Sequence, residues 1–219
     1  MSKELINGNY YLISVVLILL SFVVFFFSFE KRKPQAREMV TLSVMCAIAV
    51  ASRVVFSAIP YFKPVLGIIM LTGMALGSGA GFLTGVVTAF VSNFIFGQGP
   101  WTPWQMFAFG VAGALAGFLY KKGIMGEKKR LVTAILGYVI IQFLVGPILD
   151  VCSIFTMKME VTGDYALAIF TYGLVPNLIH GLATGLTLFL LAKPMMEKLN
   201  RMKLKYGLMG GSKEGRSGE

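Results

Sequence analysis

The sequence predicts an all-α, polytopic membrane protein with seven crossings. Three observations carry that prediction. Hydrophobic residues make up 56% of the 219 and charged residues only 14%, whereas a soluble domain is nearer one-half and one-quarter. No charged residue occurs from Pro64 to Tyr120, a stretch longer than two bilayer spans of about 20 residues each. Most of the 20 basic residues fall in three clusters that punctuate the apolar segments. No polar linker interrupts the chain before its C-terminal tail, so it reads as one domain.

The first apolar segment, residues 10–29, is longer than the apolar core of a signal peptide and lacks a small-residue cleavage site. It reads as a retained helix. Lys31, Arg32, Lys33 and Arg37 follow it. Between them and the second cluster, Lys121 to Arg130, lie four apolar segments at 39–59, 65–77, 79–97 and 105–120. Two more, 131–149 and 166–192, precede the third cluster, which runs from Lys193 to Arg216. Cytoplasmic loops collect Lys and Arg, so all three clusters are expected inside, with an even number of crossings between neighbours. That puts the N-terminus outside and the C-terminus inside. Segment 65–77 is short, since 13 residues rise only about 20 Å against a core of about 30 Å, yet the parity requires it to cross. The net charge of +10 follows from this topology, and there is no soluble domain to carry a nucleic-acid-binding face.

Glycines recur every four residues at Gly73, Gly77, Gly81 and Gly85, and again at Gly113 and Gly117 and at Gly181 and Gly185. In lipid, close backbone approach through small residues supplies helix packing, so these glycines predict a compact bundle. Ser43, Ala47 and Ala51 form a second small stripe on one helix face. It packs inside the chain or forms an outward groove for another membrane subunit; spacing does not choose.

Catalytic equipment is scarce. His180 is the one histidine, and there is no metal-ligand spacing, GxxxxGK loop or HExxH. Cys46 and Cys152 predict neither a disulfide nor a metal site. No enzymatic activity and no cofactor are expected. Polar side chains at membrane depth cost at least a few kcal/mol and usually have partners or duties. Those singled out as substrate-binding candidates are Arg53, Lys63, Asn93, Gln98, Trp101, Trp104, Gln105, Asp150, Asn177 and His180. Several converge on the outer half. Each also has a plainer reading: snorkelling for Arg53 and Lys63, charge balance for Asp150, helix capping for Asn177, packing for His180 and an interfacial belt for the tryptophans. Pro100 and Pro103 stiffen the loop that carries both indoles. Gln98 and Gln105 flank it as uncharged donors and acceptors. That combination suits a large, flat, mostly uncharged ligand.

The run "VTLSVMCAIAVASRVVFSAIPYFKP", followed by "GMALGSGAGFLTGVVTAFVSNFIFGQGPWTPWQ", resembles the substrate-binding S components of energy-coupling factor (ECF) transporters, which take up vitamins in bacteria. The resemblance covers residues 36–195. It implies a six-helix S-component-like core, preceded here by an additional N-terminal transmembrane helix (1–30) and followed by a basic cytoplasmic tail (196–219). It implies vitamin capture at the outer face of a bacterial cell membrane, with a transmembrane T component and two cytoplasmic ATPases as partners. The whole core is expected to topple in the membrane with its ligand. The family's alanine motif for docking on the T component matches Ala47 and Ala51. The Trp loop is similar to that of the cobalamin (corrinoid) subgroup; riboflavin or a pterin fits the same physics. A membrane enzyme acting on a lipid, or a scaffold binding only other membrane proteins, are the rival readings.

Overall fold

The structure, a computed structural model, describes residues 36–156 and 162–207 together with Leu12, Val16 and Val23. The expected N-terminal helix otherwise lies outside the described residues, as does the tail beyond residue 207. Six helices make up the rest: α1 Ala36–Val55, which ends in the 3-10 turn Phe56–Ala58; α2 Val65–Leu76; α3 Ser78–Phe96; α4 Thr102–Lys121; α5 Arg130–Thr156, which contains a π turn at Ile141–Val145; and α6 Gly163–Tyr206. There is no strand among the described residues. Four of the helices, α1 with its 3-10 turn, α3, α5 and α6, are long and apolar enough to cross a membrane.

The short segment is the centre of the molecule. α2 has 12 residues, all buried, and packs against α1, α3, α4 and α6. At 1.5 Å per residue it rises only about 18 Å. A short helix with non-helical ends is tolerated at membrane depth when protein, not lipid, surrounds it. Gly77 alone joins α2 to α3, at φ 97° and ψ 164°, a conformation glycine adopts without steric cost. The periodicity makes Gly77 a rung of the glycine ladder, but in the structure it is the break that folds α3 back along α2.

The other rungs hold α2, α3 and α4 together. A methyl built on Gly117 would lie 2.6 Å from the Gly73 carbonyl oxygen. Methyls on Gly73 and Gly81 would collide with the Gly113 carbonyl, and one on Gly85 with the Phe109 carbonyl. The three backbones are therefore in direct contact, and lipid supplies no hydrophobic drive that could replace this packing.

α6 runs well past the span expected at 166–192. It has 44 residues, about 66 Å of helix, roughly twice a bilayer core. Thr162 caps its start by accepting from the Tyr165 backbone N–H, and Gly207, at φ 63°, ends it. Pro176 and Pro194 lie inside it. The hydropathy falls at Lys193 although the helix does not. Met196 and Leu199 of its last turns still pack into the apolar core, as does Met125.

Candidate ligand-binding site

The C-terminal ends of α1 and α5 meet the N-terminal parts of α2, α4 and α6 at one end of the bundle. They enclose an open cavity of about 750 Å³. Of the residues singled out from sequence, Arg53, Lys63, Gln105, Asp150, Asn177 and His180 line it. Tyr61, Phe109, Ser153 and Tyr172 line it too, and sequence reasoning missed them. The signal for Tyr61 was its place between Pro60 and Pro64, and for Tyr172 its place one turn before Pro176.

Asn93 and Gln98 do not line this cavity but stand behind it. Arg53 donates to Ser92 Oγ and, at 2.9 Å, to Asn93 Oδ1, and its guanidinium lies over the Phe96 ring at 4.7 Å. Asn93 Nδ2 donates to Gln105 Oε1 at 2.8 Å and to Thr102 Oγ1 at 3.0 Å. Thr102 Oγ1 donates to Gln98 Oε1 at 2.9 Å, and Gln98 Nε2 to the Phe90 carbonyl at 3.0 Å. Each bond fixes the direction of the next, because an amide with its oxygen occupied presents its N–H groups elsewhere. The chain ties the Trp loop to the cavity wall. It fixes Arg53 and, by occupying Gln105 Oε1, leaves the Gln105 Nε2 protons for the cavity. A satisfied, partly buried network of this kind rigidifies the groups it joins.

The opposite wall is built by two glycine notches. Asn177 Nδ2 donates to Asp150 Oδ2 at 2.9 Å. A methyl on Gly173 would lie 2.5 Å from Asp150 Oδ1, and one on Gly146 would lie 2.5 Å from the Asn177 carboxamide. The carboxylate of α5 therefore seats on a glycine of α6, and the carboxamide of α6 on a glycine of α5. His180, one turn further in, has its Nε2 buried without a partner among the described residues.

The loop from Ile59 to Pro64 forms the rim. Lys63 Nζ donates to the Phe56 carbonyl at 2.9 Å and the Ile59 carbonyl at 3.5 Å. Partial burial, and then the Arg53 charge, hold its pKa below the usual lysine value. Tyr61 takes a left-handed φ of 58°, which costs a non-glycine residue free energy and persists only where its surroundings enforce it. Here the Phe62 N–H bonds the Pro60 carbonyl at 2.7 Å, and Phe62 packs on Phe56 at 5.8 Å.

Neither tryptophan lines the cavity. Trp104 is buried and stacked on Phe155, with ring centroids 6.3 Å apart, and it packs with Cys152. The first turn of α4 aims it at α5, where its apolar area is hidden. Trp101 is 41% exposed and lies over Gly99, where any methyl would strike its ring. The aromatic side chains on the cavity lining are Tyr61, Phe109 and Tyr172.

Ala47 and Ala51 are exposed on α1. With Ser43, Val50 and Val54 of α1, and Val87, Val91 and Ile95 of α3, they line a separate apolar groove of about 570 Å³. Among the described residues no group of His, Cys, Asp or Glu could hold a metal ion.

A helical membrane bundle with a ligand-sized cavity at one end, walled by fixed donors and acceptors, has the architecture of a substrate-binding membrane subunit. Residues 33–197 match the family of the ECF-type riboflavin transporter, S component, and the chain belongs to that family. No curated protein and no solved structure matches it. Membership makes it a vitamin-capturing subunit of an ECF transporter, whose partners are a T component and ATPases.

Proposed function

We propose that the chain captures a flat, nitrogen-rich aromatic vitamin of the riboflavin kind from outside the cell, and hands it inward with a T component and two ATPases. The cavity carries this reading. Its volume of about 750 Å³ falls in the range of roughly 300–1000 Å³ typical of small-molecule sites. Three aromatic side chains offer stacking faces, and Gln105, Asn177 and Asp150 offer the in-plane hydrogen bonds that a heteroaromatic edge requires. Its end of the bundle lies opposite Lys121, Lys129, Arg130 and Lys193, so the distribution of positive charge supports an outward-facing mouth.

Cobalamin is the second reading. Trp101 favours it, being an exposed indole on a proline-stiffened loop at the same end. A corrin ring with its nucleotide arm is larger than the cavity, so it would rest partly outside, against that loop.

The groove at Ala47 and Ala51 suits the T component, because small exposed side chains let another helix approach closely. Ala47→Leu together with Ala51→Leu is expected to abolish riboflavin uptake by cells carrying the whole transporter, while riboflavin affinity of the purified chain stays within about twofold. Radiolabelled uptake and flavin fluorescence titration read the two quantities. Normal uptake would remove the groove from the transport cycle, and loss of affinity would place the stripe inside the binding core.

A further inference from the structure

One wall of the cavity consists of donors without a counter-ion. Arg53 and Lys63 both face it, and neither has an acidic partner among the described residues. Arg53 is held by a hydroxyl, an amide oxygen and a ring face, and Lys63 by two backbone carbonyls. Gln105 adds its Nε2 protons because Asn93 occupies its oxygen. Asp150, the one carboxylate among the described lining residues, cannot serve as the missing partner. It sits on the far wall, bonded to Asn177 and lodged against Gly173.

Like charges facing one cavity of low dielectric repel each other. The neutral groups that hold them satisfy hydrogen bonds without cancelling charge. Charge-assisted hydrogen bonds are roughly twice as strong as neutral ones, and guanidinium matches the geometry of an oxyanion. We infer that this donor wall takes an oxyanion, a carboxylate or a phosphate ester, carried on the ligand's flat ring system. This rests on the reading that the cavity is the vitamin site. It narrows the ligand from any flat heteroaromatic to one with an acidic tail. The ring stacks on Tyr61, Tyr172 or Phe109, and the tail lies between Arg53 and Lys63.

The test compares two pairs of ligands, each pair sharing a ring system and only one member carrying an acidic tail. The purified full chain is titrated with riboflavin and with riboflavin 5′-phosphate, and then with 6-hydroxymethylpterin and with folic acid, which carries carboxylates, each at low and high salt. The expected result is that the acidic member of at least one pair binds about tenfold tighter or more, as one charge-assisted contact predicts. High salt should shrink that advantage. Arg53→Gln, which keeps a donor for Asn93, and Lys63→Met should each remove most of it, whereas Arg53→Lys should keep part of it. Riboflavin binding as tightly as its phosphate, with folic acid also binding no tighter than the neutral pterin, would overturn the oxyanion site and leave the flavin reading standing. If neither flavin binds but folic acid outcompetes the neutral pterin, the oxyanion site stands and the flavin reading falls. Equal affinities within both pairs, or no binding by any of the four, would overturn the inference.

Discussion

Gly113→Leu is expected to yield no folded protein in detergent. The glycine lies where α2, α3 and α4 meet. A Cβ there strikes the Gly81 carbonyl and comes within 2.8 Å of Ile69 Cγ2. The obstructing atoms are mostly backbone, so no rotamer change relieves the clash. The helices must separate, and the contacts at Gly73, Gly81 and Gly117 go with them. Overpacking a core ordinarily costs about 1–3 kcal/mol; moving two backbones costs more, against a total stability of only about 5–15 kcal/mol for a typical domain. Gly163→Ala is the control, because a methyl at that position meets nothing within 4 Å. Size-exclusion chromatography and thermal unfolding should show an aggregated Gly113→Leu chain and a Gly163→Ala chain that melts like the parent. A monodisperse Gly113→Leu chain with unchanged Tm would mean that the three helices are not packed through their backbones.

The second large effect is expected at Asn93, which touches no ligand in this account. Asn93→Leu leaves Arg53 with fewer acceptors at membrane depth and releases Gln105 and Thr102 together. An unsatisfied buried partner costs about 1–3 kcal/mol, more when charged, so riboflavin affinity should fall by about two orders of magnitude. Asn93→Asp separates positioning from general stability. Its carboxylate still accepts from Arg53, but it cannot donate to Gln105. The melting temperature should recover while the affinity does not. If Asn93→Asp restores both, Gln105 needs no orienting; if Asn93→Leu binds normally, the hydrogen-bond chain behind the wall is irrelevant to capture.

How much of this was legible in the sequence differs from element to element. Apolar length and charge clusters located every described helix, because both report directly on the solvent around a segment. The period-four glycines announced close packing, but spacing names a helix face and not its neighbour. Gly77 shares the period of Gly73 and Gly81 and yet is the turn between them. The cost of burying polar groups marked the site's residues, and Arg53, Lys63, Gln105, Asp150, Asn177 and His180 do line one cavity. That cost shows only that a polar side chain has a partner. It does not say whether the partner is ligand or protein, so Asn93 and Gln98, which serve other side chains, looked the same as those six. The tryptophans drew attention by rarity and by their prolines, while Tyr61 and Tyr172, two of eight tyrosines, were not singled out. Which rings face the cavity depends on where helix ends meet, and no local pattern encodes that.

The central claim is that the cavity between Arg53 and Asp150 opens outward and holds the vitamin. Tyr172 lines it and is 79% exposed, whereas the native Cys46 and Cys152 are buried. A Tyr172→Cys chain in intact cells, treated with a membrane-impermeant maleimide, tests both parts of the claim. The account predicts rapid labelling from outside and strong protection by riboflavin or its phosphate. Labelling only after the cells are opened would contradict the orientation, and external labelling that neither flavin slows would contradict capture of a flavin in this cavity.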